Sequence, residues 1–189
     1  DGYDAVKRTT VIFNDAIRYL TDVALEQWEV IEKIRFSKGR MNLVEKLVHE
    51  TSGNKPVYRS FDRRFYKLPC YLRRNAIMEA LGNVQAYMSN IDSWVKNGCR
   101  GAKPKLDKGG HVLPCLYRKG MYREGLGDEA YIKVFRNSDW VWQKIRLNHS
   151  DRKYLEKKAK GTAVSAPTIV KKHGKYELRF ALAREVELS

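Results

Sequence analysis

The sequence predicts an α+β protein in which helices come first and short strands follow. Apolar residues recur at helical spacing between about residues 3 and 96, whereas apolar and polar residues alternate after residue 126. At 189 residues the chain fits one or two domains and is long enough to bury a hydrophobic core.

Two helices open the chain. The first is predicted from about Tyr3 to Ile34, and acids fill the face opposite its apolar stripe. A basic break over residues 36–40 separates it from a shorter helix, Met41 to Glu50, which the polar cluster at 51–54 ends. The stripe of the first helix consists of Phe13, Ile17, Leu20, Ala24, Trp28 and Ile31. We expect both helices to be packing elements.

A basic aromatic segment follows at residues 55–74, between two prolines. It holds seven Lys or Arg residues, one acid (Asp62) and five aromatic rings. A buried core does not hold that many unpaired charges, and cations beside stacking rings are what a nucleic-acid surface needs. The segment therefore indicates nucleic-acid binding, with a solvated loop whose rings turn inward as the alternative.

A long amphipathic helix is predicted from about Tyr71 to Lys96. Its apolar stripe comprises Leu72, Ile77, Leu81, Val84, Tyr87 or Met88, Ile91 and Trp94. The other faces are rich in Asn, Gln, Ser and Arg, which suits hydrogen bonds to nucleic acid and equally suits helix packing. The Gly- and Lys-rich loop at 97–110 lacks the P-loop spacing, so we reject ATP binding.

The last third of the chain predicts strands. A hairpin is expected from Tyr131–Phe135 and Trp140–Leu147 around an Asn137-Ser138 turn. A basic helix follows at 151–160, capped by Ser150 or Asp151. Two more strands, 166–172 and 175–188, complete a small barrel or curled sheet.

Charge and composition limit the function. The net charge is +15, distributed as −1 over residues 1–54, +10 over 55–125 and +6 over 126–189, which favours a polyanion partner. No apolar run approaches the ~20 residues of a membrane span. Three cysteines without a CxxC pair argue against a zinc site and for reduced thiols in the cytoplasm. No constellation of His, Cys or acids indicates catalysis or a metal site, so we expect neither in this chain.

The sequence resembles the TnpB family, proteins encoded by insertion sequences and related to compact type V CRISPR effectors. The resemblance is carried by LPCYLRRNAIMEALGNVQAYMSNIDSW, the GxKPKL loop at 101–106, the LPCLY segment at 113–117 and the closing YELRFALAREVEL. It implies a helical recognition lobe over residues 1–125 and a wedge β-barrel over residues 126–189. The RuvC-like nuclease domain, with its Mg²⁺, would lie outside this chain, in the same or a companion polypeptide.

The resemblance also implies partners: a guide RNA and a target double-stranded DNA, the latter recognised beside a short motif. Arg73, Arg74 and Asn75 would contact DNA near that motif, with Tyr66 and Tyr71 beside them. We expect Lys103, Lys105, Arg118 and Lys119 to hold heteroduplex phosphates, and Lys144, Arg146, Arg152, Lys153, Lys157 and Lys158 to hold the RNA scaffold. Arg59, Arg63, Arg64 and Lys67 of the basic aromatic segment and Gln85 of the long helix complete the set. The rival hypotheses are a nuclease-free DNA- or RNA-binding regulator, a protein that binds structured RNA, and a membrane-surface protein.

Overall fold

The computed structural model describes residues 2–116, 120–160 and 163–183, apart from the side chains of residues 159, 163 and 183. Two compact units divide the chain: a helical unit, Val11–Val112, and a β unit formed by Asp1–Thr10 and Leu113–Ser189. The α+β class is confirmed. The sequence placed the domain boundary at 125/126, whereas the units separate at 112/113 and the first ten residues belong with the strands.

Helices α1 to α5 account for the helical unit. They are α1 (Gly2–Glu26), α2 (Trp28–Ile31), α3 (Ser37–Val48), α4 (Ser60–Arg64) and α5 (Cys70–Lys96), and α1 starts in the β unit. The whole predicted stripe of the first helix is buried, as are Leu72, Ile77, Leu81 and Val84 of α5. The single helix predicted over 3–34 is interrupted at Gln27. The side-chain amide of Gln27 donates from Nε2 to the Tyr58 hydroxyl at 2.9 Å. The sequence did not predict the short helix α4.

Asn14 fixes the end of the long loop that follows α5. Its Nδ2 donates to the carbonyl oxygen of Val112 at 2.9 Å, and its Oδ1 accepts from the Val112 amide at 3.0 Å. The side chain of Asn14 is 3% exposed, so both bonds form away from water, where leaving them unmade would be costly. The loop is therefore attached to α1 at its far end.

The described residues of the β unit contain seven strands, helix α6 and the start of α1. Strands β1 (Tyr122–Glu124), β2 (Glu129–Arg136) and β3 (Asp139–Arg146) form one antiparallel sheet in that order. Helix α6 (His149–Ala159) follows, and β5 (Thr168–Lys172) pairs with β6 (Lys175–Arg179), while β4 (Ala163–Val164) pairs with β7 (Leu182–Ala183). The predicted hairpin is confirmed, and both turn residues, Asn137 and Ser138, have the positive φ of a tight two-residue turn.

Two details of the β unit differ from the sequence predictions. The cap of α6 is Asn148, whose side chain accepts from the Ser150 amide, so neither Ser150 nor Asp151 is the cap. The strand predicted over 175–188 stops at Arg179 and resumes briefly at β7, and residues 184–188 lie outside the described part of the chain. Within the described residues the sheets contain three, two and two strands, with no closed barrel. Across the same residues, no helix combines the length and apolarity that a membrane crossing requires.

Candidate nucleic-acid interface

One face of the β1–β3 sheet carries cations and aromatic rings together. Residues directly opposite each other in a sheet point to the same face. The register pairs Arg123 with Tyr131, Tyr131 with Lys144, and Lys133 with Trp142. Glu129 pairs with Arg146 on the same face. We call this surface the basic sheet face and define it by Arg123, Tyr131, Lys133, Trp142, Lys144 and Arg146.

Trp142 is the centre of the basic sheet face. Its ring is half-buried, and the guanidinium carbon of Arg123 lies 4.0 Å from its centroid. The ammonium nitrogen of Lys133 lies 5.6 Å from the same centroid. Both cations are within the range of cation–π attraction, so they are held over the indole while their charge remains open to solvent.

The acid on the basic sheet face is Glu129, which forms an ion pair with Lys144. The hydrogen bond that Lys144 donates to this carboxylate raises the pKa of Lys144. Both partners are largely exposed, so the pair contributes little to stability and is weakened by salt. Four cations therefore share this face with one carboxylate, and the surplus is positive.

The opposite face of the sheet supplies the packing. Ala130, Ile132 and Val134 of β2 are buried there. Beside Ile132 and Ile145 lies an open cavity of about 880 Å³, lined also by Tyr3 of α1 and by Tyr176 and Phe180. Most of the apolar packing of the sheet is therefore on that side, and the basic sheet face takes part in packing only at its hairpin end, through Phe135 and Trp140.

Close contact at Gly125 shapes the edge of the basic sheet face. A Cβ at this position would lie 2.9 Å from Glu129 Cβ and 3.1 Å from the Tyr131 ring. The first distance is shorter than real Cβ contacts, and the second is tighter than nine in ten of them. A side chain at residue 125 would therefore displace Tyr131 or the backbone of Glu129.

The basic aromatic segment combines a buried and an exposed part. Phe61 and Phe65 are buried, with ring centroids 4.9 Å apart. Tyr66 and Tyr71, in contrast, are 59% and 42% exposed. Burial raises the pKa of Tyr58. Some rings of the segment thus turn inward and two remain at the surface, while nucleic-acid binding by the segment stays a prediction.

The acid of this segment is used by the fold. Asp62 accepts from the Glu50 amide at 2.8 Å and lies 3.0 Å from Nδ1 of His49. The segment's candidate cations are exposed; they are Arg59, Arg63, Arg64 and Lys67. The electrostatic character of the exposed surface is accordingly positive.

Arg73 lies in the core, whereas the sequence placed it at the DNA. It is 7% exposed, and its Nη2 donates to Glu45 Oε1 at 3.0 Å. Arg74 donates to the other oxygen of Glu45 at 3.0 Å, with its side chain 47% exposed. Desolvation explains the pairing, because a guanidinium buried without a carboxylate would be strongly destabilising. We therefore assign Arg73 a structural role in the core, whereas Arg74 lies at the surface.

The remaining candidates of the helical unit lie at its surface to different degrees. Lys103 and Lys105 are exposed, and Asn75 is half-buried. Gln85 is exposed and accepts from Arg40 Nη1 at 2.9 Å, so any ligand would compete with an internal hydrogen bond.

In α6 the neighbouring cations Arg152 and Lys153 have different environments. The Arg152 side chain is 18% exposed and donates to Glu156 Oε1 at 3.0 Å and to the Glu129 carbonyl at 3.2 Å. It holds the connection between β1 and β2, which favours a structural role over RNA contact. Lys153, Lys157 and Lys158 are exposed, and Lys158 lies 5.7 Å from the Tyr154 ring centroid.

Arg118 and Lys119, two of the expected phosphate contacts, lie outside the described residues. In the described part of the chain, no three His, Cys, Asp or Glu side chains come together as metal ligands. The three cysteines are free thiols, two of them exposed.

A family model matches residues 2–136, more than half of the chain. The chain belongs to the Aq_aa04 family. The match covers α1 to α5 together with β1 and β2. Comparisons with curated proteins and with solved structures found no significant match.

Four members of the basic sheet face were not among the residues predicted from sequence: Arg123, Tyr131, Lys133 and Trp142. The alternation along β2 contained the signal, because Tyr131 and Lys133 occupy the positions between Ala130, Ile132 and Val134. The missing information was the pairing with β1, which brings Arg123 across the sheet to Trp142.

Proposed function

We propose that the chain is the nucleic-acid-binding half of an RNA-guided DNA endonuclease similar to the TnpB family. It holds a guide RNA and the guide–target heteroduplex and reads a short motif in the target DNA. The observation that carries the proposal is the basic sheet face, where four cations and two aromatic rings stand beside one carboxylate. Cations neutralise phosphates, and rings stack on bases.

The exposed cations of the helical unit support the same function. Arg59, Arg63 and Arg64 are exposed in the basic aromatic segment, and the ring of Tyr66 is exposed in the same segment. Lys103 and Lys105 extend the positive surface along the loop after α5. Long cations of this kind position a nucleic acid through its backbone, while base pairing with the guide supplies the sequence.

The proposal extends to the fold and to the place of action. The small sheets of the β unit belong to a wedge-like barrel. The protein acts in the cytoplasm, and at the nucleoid when it is bound to DNA. Cleavage belongs to a RuvC-like nuclease domain with Mg²⁺, in the same or a companion polypeptide. The chain alone, supplied with Mg²⁺, accordingly cuts no DNA.

The test is to purify the protein from its native host and to sequence the nucleic acid that accompanies it. A discrete structured RNA from beside the gene, with a variable 3′ segment, supports the guided function. A single structured RNA without a variable segment would favour an RNA-binding structural protein. Specific DNA fragments without RNA would favour a nuclease-free regulator.

A further inference from the structure

The basic sheet face brings an indole ring and two cations within one side chain's reach of each other. Arg123 and Lys133 lie 4.0 Å and 5.6 Å from the Trp142 ring centroid. Tyr131 adjoins them, since it pairs with Arg123 on one side and Lys144 on the other. The ring and the two cations therefore lie close enough together to be reached by one nucleotide.

The two ends of this face differ. Towards the hairpin turn, Phe135 and Trp140 pack together with ring centroids 5.4 Å apart, and Trp140 is 9% exposed. Trp142 is two residues further along the strand and more open, and Lys144 and Arg146 beyond it are exposed. Trp140 is therefore a buried packing residue and Trp142 is half-buried, although both are Trp on the same strand and the same face.

We propose that Trp142 is a stacking platform for an unpaired base of a single-stranded RNA or DNA segment, with Arg123 and Lys133 taking the adjacent phosphates. This inference rests on the proposed function and names the ligand class of the same face. A base within a duplex has its faces covered by its neighbours, so an unstacked base fits an open ring best.

The cation–π contacts give the site a mechanism of exchange. A phosphate that reaches Arg123 offers charge-assisted hydrogen bonds, which are stronger than an exposed cation–π contact. The guanidinium moves from the indole to the phosphate, and the ring becomes free to accept the base of the same nucleotide. This exchange involves no covalent step. The surplus of positive charge on the basic sheet face selects a polyanion over an acidic peptide of low charge density.

The experiment is a fluorescence and affinity titration of the full chain with an unstructured oligo-dT or oligo-U and with a duplex of equal length. In the wild type, the single strand quenches tryptophan emission and the duplex does so much less. In Trp142→Phe the quenching is lost while affinity is largely kept, because a phenyl ring also stacks. In Trp142→Ala the affinity for the single strand falls about tenfold or more and duplex affinity is unchanged.

Trp140→Phe is the matched control and keeps the quenching, and circular dichroism checks that every variant is folded. If no variant, including the wild type, binds either oligonucleotide, the proposed function itself fails. If the wild type binds but Trp142→Ala binds single strands as tightly, or loses duplex affinity equally, the stacking inference is overturned and nucleic-acid binding survives.

Discussion

Replacing Arg73 by Met is expected to destabilise the helical unit while leaving nucleic-acid binding unchanged. The Arg73 side chain is 8% exposed and its partner Glu45 is 14% exposed. Removing one partner of a buried ion pair costs about 3–5 kcal/mol, because the other charge stays buried without compensation. Arg74 still reaches Glu45, so we expect the lower end of this range, about 3 kcal/mol.

Arg74 provides the matched control at the next position. Its side chain is 47% exposed, so its pair with Glu45 is screened by solvent. The loss of such a pair costs less than about 1 kcal/mol. Arg74→Met is therefore expected to unfold close to the wild type, and to lose about one unit of salt slope in DNA binding if Arg74 contacts a phosphate.

The assay combines thermal unfolding, followed by circular dichroism, with DNA or RNA binding at several salt concentrations. A loss of about 3 kcal/mol lowers the midpoint of a chain of this size by about 6–12 °C. If Arg73→Met kept wild-type stability and weakened binding instead, Arg73 would be a DNA contact as the sequence indicated, and the assignment to the fold would be refuted.

Three further predictions concern the β unit. Gly125→Ala should reduce the free energy of unfolding by about 1–3 kcal/mol, because its Cβ would meet Glu129 Cβ at 2.9 Å; an unchanged urea midpoint would contradict the packing described at the sheet edge. Arg152→Ala should destabilise the β unit, and Lys153→Ala should leave its stability unchanged. Lys153→Ala should instead lower the salt slope of RNA binding by about one unit. The reverse pattern would show that Arg152 contacts RNA. Burial, reinforced by Tyr3, raises the pKa of Tyr176 above 10.0, so the folded state resists ionisation of this phenol. The stability that the neutral Tyr176 phenol contributes is complete below about pH 10 and is lost as the pH rises further. Tyr176→Phe should therefore lose less stability than the wild type in alkaline denaturation. Equal losses in the two proteins would contradict the raised pKa of Tyr176.

The sequence predicted those features that depend on periodicity. The stripe from Phe13 to Ile31 is buried at each position, and the Asn137-Ser138 hairpin forms where the alternation and the turn residues placed it. Local spacing reports burial well because burial on one face is what a helix or strand requires of its own sequence.

The features that the sequence did not predict depend on contacts between distant residues. Arg73 and Glu45 are 28 residues apart, and the sequence of the long helix does not show that a carboxylate of α3 neutralises its first arginine. Arg123 reaches Trp142 only because β1 and β3 lie on either side of β2. For the same reason the basic sheet face cannot be predicted from the sequence without the strand order.

The measurement that tests the account most directly is the binding of the purified chain to nucleic acid as a function of salt concentration. If the four cations of the basic sheet face contact phosphates, they alone contribute about −3 to −4 to the slope of the logarithm of the binding constant on duplex DNA and about −3 on single strands, and the cations of the helical unit add to that slope. Replacing Lys133 and Lys144 by Ala together should make that slope about two units shallower. A chain that binds neither strand form at low salt, or binds with no salt dependence, would contradict the central claim that this surface is a nucleic-acid interface.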